Sequence, residues 1–326
     1  EVRKIEDPDV WDRFVAESPQ GTVFSTLGWM RIAAEAQGGE PVALGVFEGD
    51  RLLGGASFLE ISKGPFRKAT TPSLTPYGGI LYRPFHGKRR SDEEGLWHSC
   101  AVPLADYLGR RYDFVCLVHP HPVMDVRPFS WSGFDSRVRY TYHLDIASPD
   151  AVWDNLEHRM KTVIRNADGE LTVESSPWTA GFAELYEHVY RDRGGEPPVA
   201  RGVVERMAPA AIASCGGDLR IVRDADGTAL CAGLFVSDVH AVYAWVSGAL
   251  PSRNSSGAMS CLVWDTVRRY SGKVPVFDMV GANIPGVAFY KRGFGGALVP
   301  YYVTERYGSP FARAFFTLHS LIRKVF

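Results

Sequence analysis

The stretch GANIPGVAFYKRGFGG, residues 281–296, decides how the rest of the chain is read. It opens with turn formers (Gly281, Asn283, Pro285, Gly286), with Pro285 suited to the first turn of a helix. A short apolar helix follows, carrying Tyr290, Lys291 and Arg292. It closes on Gly293, Phe294, Gly295 and Gly296, where a helix end and a tight turn are expected. Immediately before it, VPVFDMV (274–280) is a short apolar run suited to a buried strand, with Asp278 near its C-terminal end. Strand, loop, short helix, glycine turn is a corner at which open α/β sheets place their sites.

Working outward, the same order of elements occurs twice. In the second half, LRIVRDADGTALCAGLFVS (219–237) reads as two strands around an Asp224–Gly227 turn, HAVYAWVSG (240–248) alternates as a strand, and residues 256–271 read as a helix before VPVFDMV. In the first half, PVALGVFEGDRLLGGASFLE is a hairpin around Glu48-Gly49-Asp50. TPYGGILY (75–82) follows, then a helix near 92–110 and the buried strand YDFVCLV (112–118). Further helices are expected at 8–17 and 28–37. Ser148-Pro149-Asp150 is a helix start, with serine at the cap and proline in the first turn. The expected fold class is α/β with mixed sheets, in two domains, 1–145 and 146–326, the second ending in an amphipathic helix over 309–326.

Composition narrows the function classes. The 326 residues are 45% hydrophobic and 22% charged with a formal net charge of −1, which suits full cores and gives no global pull toward nucleic acid or membrane. Local basic groups stand at Lys63, Arg67 and Lys68, at Lys88-Arg89-Arg90 and at Arg139. The five cysteines form no C-x-x-C and read as buried thiols of a reducing compartment. No apolar run reaches the ~18–20 residues of a membrane span. With no signal-peptide pattern at the start, a cytoplasmic location is expected. His119-Pro120-His121 with Asp125 lacks helical i, i+4 spacing, so no metal site is expected. A G-x-S-x-G elbow, a P-loop and a G-x-G-x-x-G after a strand are absent.

The tandem order, ending in F-Y-K-R-G-F, resembles the GNAT-type acyltransferases, and most closely their Fem-type branch of tandem-GNAT proteins. SPQGTVFSTLGW (18–29) resembles that branch's opening helix-loop ending in Trp29. TPYGGILY resembles its central Tyr-Gly-Gly strand, and HRMKTVIRNADGELTVE (158–174) its basic helix and following strand. FYKRGFGG with a later YYV is similar to its C-terminal signature. The resemblance implies two GNAT-like domains in tandem and an amide-bond-forming N-acyltransferase, moving an aminoacyl group from aminoacyl-tRNA to an amine acceptor. That acceptor would be a small molecule or a cell-wall precursor, held in a groove between the halves. The alternatives are an acyltransferase that uses acyl-CoA or a carrier thioester, and a non-catalytic ligand-binding module. No tightly bound cofactor is implied, only the co-substrate.

The resemblance also distributes roles. Lys291 would stabilise the developing oxyanion or anchor the donor's acyl end, and Tyr290 would be the general acid. Asp278 would accept or orient the amine proton, or else cap the turn. For the donor, the Q/R-x-x-G-x-G/A phosphate loop of acetyl-CoA users aligns with Arg253-Asn254-Ser255-Ser256-Gly257-Ala258. Arg253 and Ala258 fit, Ser256 replaces a glycine whose missing Cβ admits a phosphate, and Gly257 beside them would be part of the same donor-binding loop. Asn283 matches an asparagine that touches the pantetheine arm. Lys161 and Arg165, four apart on one helix face, would meet a phosphate-bearing substrate. Tyr77, Gly78, Gly79 and Trp29 would border the acceptor.

Overall fold

The computed structural model describes residues 1–191, 195–250 and 257–322. They form two compact units, one of residues 1–138 with 301–322 and one of the described residues between 139 and 300. The expected boundary after 145 therefore shifts, and the C-terminal segment expected with the second domain packs with the first. The cause is long-range strand pairing, set out for each unit below.

In the first unit the chain runs β1 (Val2–Lys4), α1 (Pro8–Glu17), α2 (Leu27–Gln37), β2 (Glu40–Glu48), β3 (Arg51–Lys63), β4 (Phe66–Thr70), β5 (Ile80–Tyr82), α3 (Arg90–Arg111), β6 (Phe114–Val118) and α4 (Arg127–Trp131). Asp7 caps α1 by accepting the Asp9 N–H, Pro8 occupies its first turn, and Trp11, Phe14 and Val15 form its buried face. The β2–β3 hairpin turns at Gly49 and Asp50. TPYGGILY, expected as a whole strand, pairs with β3 only over Ile80–Tyr82. β4 pairs with β3 antiparallel and with β6 parallel, and β6 pairs antiparallel with residues 303–307 of the last strand. The core between α3 and the sheet includes Phe58, Leu104, Leu108, Val115 and Phe129.

β7 (Asp135–Asp145) leads into the second unit, which continues with α5 (Pro149–Asn155), α6 (His158–Ala167), β8 (Thr172–Ser175), α7 (Thr179–Arg191), α8 (Arg201–Ser214), β9 (Asp218–Arg223), β10 (Ala229–Ser237), β11 (Ala241–Ala249), α9 (Ala258–Tyr270), β12 (Val276–Asp278) and α10 (Pro285–Arg292). Its strands lie in the order β7-β12-β11-β10-β9-β8. β11 and β12 are parallel, and β12 pairs antiparallel with β7. Ser148 caps α5 by accepting the Ala151 N–H. One core cluster gathers Leu144, Ile164, Val242, Leu262, Phe277 and Phe294. β13 (Ala297–Tyr307) then returns the chain to the first unit, where α11 (Pro310–Ile322) sets Phe315 and Phe316 against Phe66.

Candidate active site

The site begins where two parallel strands part. β12 faces β11 over three pairs, Ala241 with Val276, Val242 with Phe277 and Tyr243 with Asp278. Beyond Tyr243, β11 runs on to Ala249 while β12 has ended. The peptide groups of β11 on that edge have no β12 residue opposite them, so an extended, amide-bearing ligand arm can pair there.

The turn after Asp278 keeps the strands apart. Val280 has φ +48° and Gly281 φ +70°, and the left-handed region is uncommon for a β-branched side chain. Asp278 holds the turn from one side by accepting the Val280 N–H at 2.8 Å. Lys291, the penultimate residue of α10, holds it from the other. Its ammonium donates to the carbonyls of Met279 (2.6 Å), Val280 (2.6 Å) and Gly281 (2.7 Å). Burial pulls the Lys291 pKa down to about 8, with the nearby Asp278 charge acting in the opposite sense. Asn283 ties the same loop to β7, accepting the Tyr140 N–H at 3.0 Å and donating to the Tyr140 carbonyl.

The N-terminus of α9 lies across this unit's core. Gly257, with φ +74°, is its cap, and a Cβ there would come within 2.7 Å of Val163 on α6. Glycine is thus required by backbone angle and by contact. The first N–H groups of α9 carry the partial positive end of the helix, favourable to an anion. Ser260, in that first turn, lies 3.4 Å from the Tyr290 hydroxyl. Burial raises the Tyr290 pKa above its ordinary value, and its ring packs edge-on against Phe294. Arg253 and Ser256 lie outside the described residues.

The basic helix α6 is engaged with its neighbours. Lys161 donates to the Asp154 carbonyl at 3.0 Å, and the Arg165 guanidinium stacks 5.3 Å from the Trp153 ring centre. Arg159 and Arg292 both pair with Glu157 and both stack on Phe289. Arg165 still presents its charge to solvent, whereas Lys161 is half-buried.

The expected acceptor residues of the first unit are core residues there. Trp29 is fully buried, edge-on to Phe24, and its indole N–H donates to Thr75 at 2.9 Å. Tyr77 is buried against Tyr301. Gly78 donates its N–H to Val118, and a Cβ on Gly79 would meet the His119 ring at 2.4 Å. Close backbone packing accounts for the Gly-Gly pair. Burial lowers the His119 pKa to about 3, and its ring bonds Thr304. Glu94, His98 and Asp125 also cluster in this unit, but Arg127 pairs with both carboxylates. An open cavity of about 460 Å³ between the β2–β3 turn and α3 holds none of the expected residues.

Two residues were not anticipated. Thr141 donates to Asp278 at 2.5 Å, and His143 Nε2 lies 3.2 Å from the same carboxylate's other oxygen. Their signal in RVRYTYHLDI is parity. Thr141 and His143 share one face, while Tyr142 and Leu144 on the other face enter the core.

Residues 155–292 match the family model of the acetyltransferase (GNAT) domain. The second unit has the fold of a GNAT acyltransferase domain. The GNAT match covers the parted strands, α9 and α10. Over nearly the whole chain the fold is that of tandem relatives. The crystal structure of FemX is similar with a TM-score of 0.66 at 14% identity, covering 93% of this chain and 96% of that one. A tandem GNAT protein from the clavulanic acid biosynthesis pathway gives 0.54 at 11%, covering 95% and 99%. The L-PGS structure from Bacillus licheniformis gives 0.53 at 11%, covering 97% of each chain. No curated protein sequence matches the chain. No helix among the described residues is long and apolar enough to cross a membrane.

Proposed function

We propose that the chain is a Fem-type aminoacyltransferase, joining an amino acid from aminoacyl-tRNA to an amine by an amide bond. The observation that carries this reading is the Lys291 clamp on the carbonyls of 279–281, beside the stretch of β11 that runs on past the end of β12 in a GNAT-fold domain. Acyl transfer from an activated donor needs positioning and charge stabilisation more than a protein nucleophile. Lys291 spends its three N–H donors on the loop, so its positive charge acts on the acyl end through a fixed turn. The α9 N-terminus receives the donor's phosphate, and Lys161 and Arg165 attract the polyanion without pairing to particular bases.

The raised Tyr290 pKa favours an ester donor. A phenol held above its ordinary ~10 gives its proton readily to a ribose alkoxide and poorly to a thiolate, whose conjugate acid has a pKa of ~8.5. The FemX likeness in fold supports the same reading. An acyl thioester donor is the second reading, favoured by the acetyltransferase family model and by Gly257 at the α9 cap. The acceptor is an amine on a small molecule or a cell-wall precursor. Charged tRNA and acetyl-CoA, each offered with lysine-bearing peptides and followed by mass spectrometry, separate the donors. Product from charged tRNA that RNase abolishes supports the ester. Product from acetyl-CoA that RNase spares supports the thioester.

A further inference from the structure

In the first unit, the residues after β5 complete a concave site that the proposed acyl transfer does not use. β5 pairs with β3 as Ile80 with Ala56, Leu81 with Gly55 and Tyr82 with Gly54. Arg83 continues that register by one residue, its N–H donating to the Leu53 carbonyl at 2.9 Å. Arg51 lies two residues from Leu53 along β3, so it shares that face and stands diagonal to Arg83. Diagonal neighbours are ~7–8 Å apart, within reach of long side chains. Both arginines line the cavity of about 460 Å³ between the β2–β3 turn and α3.

Among the described residues neither guanidinium has a carboxylate partner, and Arg83 is half-buried. Asp50, next to Arg51, pairs with Arg3 at 3.9 Å instead. Glu48, opposite Arg51 in the ladder, is the one carboxylate in the lining, which is therefore net positive. Asp92 and Glu93, in the first turn of α3, stand outside it. A half-buried charge with no ion partner stays costly until an anion meets it. Phe85 gives the cavity an apolar wall. Its ring is held by its own loop, since a Cβ on Gly87 would lie 2.1 Å from Phe85 Cζ. On the α3 side, Gly95 sits inside the helix, and a Cβ there would meet no atom within 4 Å. Glycine weakens a helix interior, and here neither close contact nor a positive φ calls for it. Its effect is to keep the α3 wall of the cavity clear.

We propose that this cavity binds an organic phosphate monoester, with Arg51 and Arg83 on the phosphate and Phe85 against the organic group. A guanidinium fork matches a pair of phosphate oxygens. A monoester dianion has oxygens for two forks, whereas a carboxylate fills one. The volume falls in the ~300–1,000 Å³ range of small-molecule sites. The site stands whether or not the chain moves an acyl group.

The test is isothermal titration calorimetry on the full chain, with phenyl phosphate, inorganic phosphate and benzoate as probes. Phenyl phosphate should bind saturably. Inorganic phosphate, which offers Phe85 nothing, and benzoate, which occupies one fork, should each bind about tenfold more weakly or worse. Arg51→Gln and Arg83→Gln should each raise the Kd for phenyl phosphate about tenfold or more. Gly95→Leu should fill the cavity and raise that Kd by at least as much, with a urea midpoint no lower than the unaltered chain's. Loss of binding in that variant then cannot come from unfolding. Absence of saturable phenyl phosphate binding overturns the proposal. So does binding that Arg83→Gln and Gly95→Leu leave intact, which places the phosphate elsewhere. Inorganic phosphate or benzoate binding as tightly as phenyl phosphate overturns the ligand class.

Discussion

Lys291 is the residue on which the site turns. Its place in F-Y-K-R-G-F was legible in the sequence, but its target was not, because the three atoms it binds are backbone carbonyls. Lys291→Met strands those carbonyls, and each buried unsatisfied group costs roughly 1–3 kcal/mol. We expect a loss of at least about 2 kcal/mol in urea unfolding and a fall in kcat of about 10²-fold or more. The pH dependence has a definite sign. The folded pKa is about 8 against an ordinary 10.5, so between these values the unfolded chain holds a proton the folded one lacks. The stability contributed by Lys291 is least below pH 8 and rises through that window. The stability difference between the unaltered chain and Lys291→Met should therefore grow from pH 7.5 to pH 10. Turnover should fall over the same range, since a neutral amine has only two N–H donors for three carbonyls. A shrinking stability difference would show that the carbonyls hold the ammonium charged. His143 shows the limit of sequence reading: a polar residue in a strand announces its face, while its partner Asp278 lies 135 positions away in the sequence.

At the level of elements, helix caps and hairpins were legible because their signals are local. Asp7-Pro8 and Ser148-Pro149 both start helices as expected, and both acidic-glycine turns join paired strands. TPYGGILY was legible only in part. Its hydrophobic pattern suits a strand, but the Gly78 N–H bonds the Val118 carbonyl and Gly79 presses on His119, which takes the segment off the β3 ladder until Ile80. The glycines closing the opening stretch are separable by experiment. Gly295 has φ +76°, and a Cβ there would lie 2.3 Å from the Asn155 carbonyl oxygen. Gly295→Ala should cost more than about 2 kcal/mol in thermal or urea unfolding. Gly286, in the first turn of α10, has open space around it, so Gly286→Ala should be neutral or stabilising by up to about 1 kcal/mol. Equal effects at the two positions would contradict the turn geometry.

Across the whole molecule, each unit is completed by a strand from the other half of the sequence. Residues 143–145 of β7 pair with β12, and residues 303–307 of β13 pair with β6. Periodicity identifies such strands but not their partners, which is why the duplicated order was visible and the boundary was displaced. Ending the chain at Pro300 removes the β6 partner, along with Phe315 and Phe316 from Phe66 and Phe114. Hydrogen exchange should then show protection lost in β6 and β4 and kept in β10 and β11; unchanged protection in β6 would contradict the exchange of strands. We propose above all that this GNAT-fold domain moves an aminoacyl group onto an amine. The most direct measurement is mass spectrometry of a lysine-bearing peptide incubated with the full chain and charged tRNA, with and without RNase. The expected result is a mass gain of one aminoacyl residue that RNase abolishes and Lys291→Met reduces by about 10²-fold or more. No gain from charged tRNA, with or without transfer from acetyl-CoA, would contradict it.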